Sequence, residues 1–197
     1  MMLVAGVDLG LSGGITMLEG NDIKYLGMMP VIQSSKTRVY DVYKLIYIFK
    51  QYNPAFIMVE KPLLHPKSGK ISYQQSGYGL GLFTGIATSL GIKFDMVLPN
   101  QWQKAILGNF GKGDSKTASI QYATFNYPHH EWKIGKNYHD GLTDSLGIAL
   151  YCQLKNLGGL IKGDSKHKEV KAGCNADSHE DGIPPNNKLL GILPNEL

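Results

Sequence analysis

Residues 3–10 read LVAGVDLG: five small or apolar residues, an aspartate, and then the glycine-rich turn LSGG at 11–14. A short apolar run closed by glycine is the pattern of a buried strand. A carboxylate inside such a run is costly unless it is paired, protonated or held by a cation. Asp8 is therefore the first position to explain, and the rest of the chain is read around it.

Downstream, ITMLEG (15–20) and IKYLGMMPV (23–31) predict two more strands, joined as a hairpin through Gly20-Asn21-Asp22. Val42, Leu45, Ile46 and Phe49 fall at helical spacing, which predicts an amphipathic helix over Arg38–Tyr52, stopped by Asn53-Pro54. AFIMVE (55–60) reads as an interior strand ending in a second carboxylate, Glu60. A polar, basic loop (63–72) follows, then a small-residue helix from Tyr73 to Leu90, a strand over Phe94–Leu98 and a short helix over Pro99–Ile106. Asn109–Asp114 reads as a Gly/Lys loop, Lys116–Asn126 as a helix, Tyr127–Tyr138 as irregular and Asp140–Asn156 as a last helix. This order makes an α/β domain with a mixed sheet. From Gly158 onward no apolar period survives, so residues 1–157 are expected to form the domain and 158–197 a flexible polar tail, with LLGIL (189–193) as a short run that docks locally.

At 197 residues, 43% hydrophobic and 18% charged, the chain suits one globular domain with such a tail. Cys152 and Cys174 match neither a disulfide framework nor a zinc spacing, which favours a reducing compartment. No apolar stretch reaches about 18 residues, and the N-terminus lacks a charged leader. The expectation is a protein of the cytoplasm or of a host cell's cytoplasm, with no membrane contact. The net charge is +4, but residues 1–157 carry fifteen bases and ten acids, or +5. A basic body fits a polyanionic partner, although +5 also suits an ordinary soluble domain.

Asp140 and Asp144, four apart on the last predicted helix, lie ~5–6 Å from each other on one face. Leu142, Leu146 and Ala149 fall on the opposite side. If these two met Asp8 and Glu60, each pair of carboxylates about 5 Å apart would repel by roughly 3 kcal/mol at an effective dielectric of 20. A pair of Mg²⁺ ions relieves that repulsion through carboxylate oxygens and equips the site for in-line phosphodiester hydrolysis. Each acid also has an ordinary alternative: a turn role for Asp8, a lysine partner for Glu60, a helix N-cap for Asp140 and a solvated first-turn position for Asp144.

Taken in order, GVDLGLSGGI (6–15), IMVEKP (57–62), VLPNQWQKAILG (97–108) with GKGDSK (111–116), and HDGLTDSLGIALY (139–151) resemble the RuvC-type Holliday junction resolvases, including their fungal mitochondrial and poxvirus relatives. The resemblance covers residues 3–155. It implies an RNase H-like fold, a five-stranded mixed sheet flanked by helices. It also implies a homodimer and symmetric nicking of four-way DNA junctions with two Mg²⁺ per site, Mn²⁺ substituting. On this resemblance Asp8 matches the first-strand acid, Glu60 the fourth-strand acid and Asp144 the last-helix acid. Asp140 matches the mitochondrial and poxvirus arrangement. Gly141 stands where bacterial RuvC carries its other last-helix acid.

Lysines grip phosphates and an apolar side chain can wedge into a base step. Lys61, His65, Lys67 and Lys70, beside Leu63, Leu64 and Tyr73, are the expected junction-facing group. Lys104, Lys112, Lys116, Lys133 and Lys136 are expected to meet phosphates, His139 stands beside the acids, and Trp102 is read as core. GYGLG (77–81) lacks the preceding strand of a dinucleotide site, and its glycines are read as allowing close helix packing, including at a dimer interface. GKGDSK fails the phosphate-loop spacing, and His129-His130 lacks a partner at metal-ligand spacing. The competing functions are an actin-like or sugar-kinase-like ATPase, on the strength of DLGLSGG, an RNase H-like nuclease on flaps, forks or RNA–DNA hybrids, and a DNA-binding module without catalysis.

Overall fold

The computed structural model describes residues 1–35, 37–62, 69–108 and 115–157. β1 (Leu3–Val7), β2 (Gly14–Glu19) and β3 (Asp22–Met28) form an antiparallel meander. β6 (Phe56–Glu60) pairs with β1 in parallel and β7 (Lys93–Val97) pairs with β6 in parallel, so the sheet order is β3-β2-β1-β6-β7. The mixed five-stranded sheet matches the expectation. β1 and β6 are interior strands covered on both faces, which explains their near-continuous apolar runs.

α1 (Val42–Tyr52) and α2 (Lys70–Leu90) cover one face, where Leu45, Phe49, Phe83 and Ile86 pack on Ala5, Val7, Ile57 and Val59. α3 (Pro99–Trp102), α4 (Ser115–Asn126) and α5 (Asp140–Leu157) belong to the other, where Trp102, Ala118, Leu146 and Ala149 pack on Val4, Leu18, Met58 and Val97. Strand alternation thus sends Val4 and Met58 to the α5 side and Ala5, Val7, Ile57 and Val59 away from it. The same parity assigns positions 8 and 60 to the α5 side.

The expected helix over Arg38–Tyr52 is corrected. Residues Arg38–Tyr40 are strand β5, paired antiparallel with β4 (Val31–Gln33). Asp41 is the N-cap, its Oδ1 accepting the Lys44 N–H at 3.0 Å, so helix starts only after it. Extension of the preceding residues lets the Arg38 guanidinium donate to Leu11 O (2.7 Å) and Ser12 Oγ (3.2 Å), tying β5 to the β1–β2 turn. Elsewhere α2 begins at Lys70, three residues before the expected start, and the helix after Pro99 widens into a π-helical turn over Gln103–Leu107. The expected irregular stretch before α5 contains a small hairpin, β8 (Lys133–Ile134) with β9 (Asn137–Tyr138). GYGLG lies inside α2, which removes the dinucleotide-turn reading.

α5 lies almost backbone to backbone on β1 and β2. A Cβ at Gly6 would fall 2.2 Å from Ala149 N and 2.3 Å from Ser145 O. One at Gly141 would fall 2.8 Å from Gly13 Cα and from Ser12 O. Thr16 Oγ1 and Ser145 Oγ share a buried hydrogen bond of 2.8 Å, and Gln153 Nε2 donates to Leu18 O at 3.1 Å. The sequence expectations for 63–68, 109–114 and the tail 158–197 lie outside the described residues. No described helix is long and apolar enough to cross a membrane.

Candidate active site

Asp8 follows β1 directly and Glu60 ends β6, the parallel neighbour in register with it, Val7 standing opposite Val59. Asp140 and Asp144 occupy the first two turns of α5, the helix pressed onto that same end of β1 and β2. The sheet and α5 therefore bring all four acids into mutual electrostatic reach. Burial raises Asp8 well above the usual carboxylate range, and Glu60, Asp144 and Asp140 push it further in that order, with Lys116 opposing. Burial pushes Asp144 up to about 6, with Glu60 and Asp140 adding and the Ser119 hydrogen bond opposing. Burial raises Glu60 too, against a hydrogen bond from Trp102. Asp140 alone is lowered, chiefly by its hydrogen bond from Lys116, with burial opposing. Asp8 is thus the most strongly raised of the four, by burial first and by the other acids second.

Three of the four have a side-chain partner. Trp102 Nε1–H donates to Glu60 Oε1 at 3.1 Å, Ser119 Oγ–H donates to Asp144 Oδ1 at 2.5 Å, and Lys116 Nζ lies 2.7 Å from Asp140 Oδ2. Ser119 Oγ also shares a hydrogen bond with Thr143 Oγ1 at 2.8 Å. These contacts bear on three of the alternatives left open by the sequence. Glu60's described partner is an indole rather than a lysine. Asp140 is inside the helix rather than capping it, and Asp144 is bound and largely buried rather than solvated. Trp102 is core, as read, but its polar edge serves the site. Ser119 was missed altogether, because a serine on a helix carries no signal of what it will face.

The donor set is all carboxylate oxygen, with Asp8, Glu60 and Asp144 largely buried, Asp140 well exposed and Lys116 beside it. That is the chemistry of a hard divalent cation. Among the described residues no three His, Cys, Asp or Glu side chains are gathered at ion-liganding distance. Glu60 and Asp144 each have one oxygen engaged, and Asp140 has both, Oδ1 by the Gly141 N–H at 3.1 Å and Oδ2 by Lys116. Glu60 and Asp144 keep a second oxygen for an ion, and Asp140 is engaged by an exposed lysine that a stronger cation can displace.

Of the expected DNA contacts, Lys61 is exposed beside Glu60, Lys104 is exposed on the π-helical turn, and Lys136 is exposed in the β8–β9 turn. Tyr73 is half-buried on the first turns of α2, and Lys70 is the first residue of that helix. Lys116 is drawn to Asp140, so it stands at the acids themselves. Leu63, His65, Lys67 and Lys112 lie outside the described residues. His139 stands beside Asp140, with its Nδ1 buried and unpartnered among the described residues. His130 packs against Tyr127 and Trp132. A cavity of about 460 Å³ lined by Thr124, His129, His130 and Lys133 has none of the four acids on its walls, whereas one of about 260 Å³ has Glu60 there with Leu9, Tyr40 and Gln75.

The fold is similar to that of Thermus thermophilus RuvC. A structure of that protein in complex with a Holliday junction substrate superposes with a TM-score of 0.58 at 17% identity, over 79% of this chain and 97% of RuvC. A second T. thermophilus RuvC structure gives 0.57 at 21%, over 80% and 97%. The chain has the RuvC-like form of the RNase H-like fold. The yeast mitochondrial Holliday junction resolvase is also similar, with a TM-score of 0.46 at 13% identity, over 78% of this chain and 82% of that one. No protein-family profile matches the sequence, and no curated protein matches it. Within the RuvC fold, Asp8 and Glu60 occupy the ends of the adjacent parallel strands and Asp140 and Asp144 the start of the helix crossing them.

Proposed function

We propose that this chain is a divalent-metal-dependent endonuclease that nicks four-way and other branched DNA, with Asp8, Glu60, Asp140 and Asp144 as the metal-holding acids. The single observation that carries the reading is the convergence of those four carboxylates, from three separated segments, at one end of a RuvC-like sheet. The T. thermophilus RuvC structure with a Holliday junction substrate supports the choice of DNA. Magnesium ions, or manganese in their place, would polarise the phosphodiester, ready a water and stabilise the leaving 3′ oxygen. The protein's own part is to hold the acids' oxygens in place, to exclude bulk water around Asp8, and to meet the phosphates on either side of the cut. Lys61, Lys70, Lys104, Lys116 and Lys136 are the candidates for that basic surface, Lys67, Lys112 and His65 are candidates from the sequence outside the described residues, and Leu63 and Tyr73 are the candidates for opening the junction.

A homodimer places two such sites on one four-way junction, as paired incision requires. The exposed glycines of α2 are the surface offered for it. Gly77, Gly81 and Gly85, spaced one turn apart, each have open space where a Cβ would stand. An intracellular, cytoplasmic setting belongs to the same reading.

The test is a cleavage panel of four-way, three-way, flap, linear and RNA–DNA hybrid substrates with Mg²⁺, Mn²⁺ or EDTA. The expected result is metal-dependent, paired nicking of the four-way junction. Asp8→Asn is expected to keep junction binding in a gel-shift assay and to lose cutting by about a thousandfold, several kcal/mol of transition-state stabilisation. Undiminished cutting by Asp8→Asn would refute the metal assignment, and preferred cutting of the hybrid would move the substrate to RNA–DNA.

A further inference from the structure

Trp102 is fully buried, yet its one polar atom is spent on an active-site acid. The indole Nε1–H donates to Glu60 Oε1 at 3.1 Å, across 42 residues of sequence. Such a donor is costly to bury without a partner, so the bond constrains both ends. The six-membered ring of the same side chain is seated on α5 at Gly147, where a Cβ would fall 2.4 Å from Cζ3 and 2.7 Å from Cε3. Gly147 is one helical turn beyond Asp144. One rigid group therefore touches the strand end that carries Glu60 and the helix that carries Asp144. Its own position is set by the short helix that Pro99 opens, where Gln101 Oε1 accepts the Leu98 N–H at 3.1 Å.

We propose that Trp102 is a positioning residue for metal binding, fixing one oxygen of Glu60 and the spacing between β6 and α5 so that the second oxygen is presented to an ion. The proposal rests on the nuclease reading above and adds to it a residue that touches neither ion nor DNA. The indole narrows the directions open to the Glu60 carboxylate, and Gly147 keeps the ring against α5. A core tryptophan of packing value alone would leave ion affinity untouched when replaced by another large aromatic.

The experiment uses the full chain without DNA. Mn²⁺ binding is measured by titration calorimetry for wild type and Trp102→Phe, each checked for folding by near-ultraviolet circular dichroism. Indole N–H resonances are followed by nitrogen-15 NMR. Trp102→Phe is expected to bind Mn²⁺ about tenfold more weakly, as loss of a group that orients a metal ligand does. The Trp102 indole signal, assigned as the one of two that persists in Trp132→Phe, is expected to move upfield in Glu60→Gln, where the acceptor loses its charge, and to broaden in wild type on adding Mn²⁺. Unchanged Mn²⁺ affinity in folded Trp102→Phe overturns the proposal alone. Absence of Mn²⁺ binding by wild type overturns the nuclease reading and the proposal together. Should Trp102→Phe not fold, the Glu60→Gln spectrum decides, and an indole signal that stays put in it is the overturning result.

Discussion

Asp144 titrates at about 6 in the folded protein because burial disfavours its charge, whereas an exposed aspartate titrates near 4. Between those values the folded state binds the extra proton, so stability falls as pH rises through the interval and stays lower above it. The contribution is on the order of 3 kcal/mol for Asp144. Asp8 and Glu60, both raised chiefly by burial, act in the same direction. Asp140 is lowered and acts oppositely, but its pair with Lys116 is well exposed and solvent screens it. The metal-free protein is therefore expected to melt at lower temperature at pH 7.5 than at pH 5 in EDTA, by differential scanning fluorimetry. Asp144→Asn flattens that dependence, because a neutral amide can still accept from Ser119. Added Mg²⁺ or Mn²⁺ raises the melting temperature more at pH 7.5 than at pH 5, since ion binding requires the carboxylates to be ionised. A melting temperature that rises with pH in EDTA would contradict the burial of these acids.

At the scale of elements, the site depends on how closely α5 lies on β1 and β2. Gly6 permits that approach, and so does Gly141. A side chain there would run into Gly13 and Ser12 at 2.8 Å, so the second acid of α5 stands at 140, where the side chain is free to reach Lys116. Gly6→Ala places a methyl 2.2 Å from a backbone nitrogen of α5, and neither backbone can yield without separating helix from sheet. It is expected to cost at least about 3 kcal/mol in urea denaturation, the upper end of overpacking effects. Gly141→Asp is expected to lower both stability and cutting, and a gain of activity would show that α5 can lift from the turn. The β5 strand belongs to this scale too: Arg38 holds the β1–β2 turn that follows Asp8, a job invisible while residues 38–40 are read as helix.

At the scale of the whole molecule, the glycine face of α2 is where the proposed homodimer is tested. In an isolated protomer, Gly81→Ala should stabilise by about 0.5–1 kcal/mol, the usual penalty of glycine within a helix, because nothing stands within 4 Å of the added carbon. In a dimer joined through that face, the bulkier Gly81→Leu should drive the backbones apart. Light scattering after size exclusion is expected to give a dimer for wild type and a monomer for Gly81→Leu, with the folded spectrum kept. A dimer of unchanged strength in Gly81→Leu would move the interface elsewhere.

The amino-acid sequence by itself determined the alternation of strands, the amphipathic α1 and α5, the mixed sheet, and the oddity of Asp8 and Glu60 in apolar runs. These are local signals: period-two and helical spacing, and a charge where burial forbids one, are written in neighbouring residues. Tertiary structure alone decided that Trp102 meets Glu60 and Ser119 meets Asp144, contacts spanning 42 and 25 residues, that Lys116 is spent on Asp140, and that position 141 admits only hydrogen as its side chain. Donor–acceptor pairing and backbone clearance depend on the register of distant segments, and that register exists only once the sheet has set the separation between its strands and the helix above them.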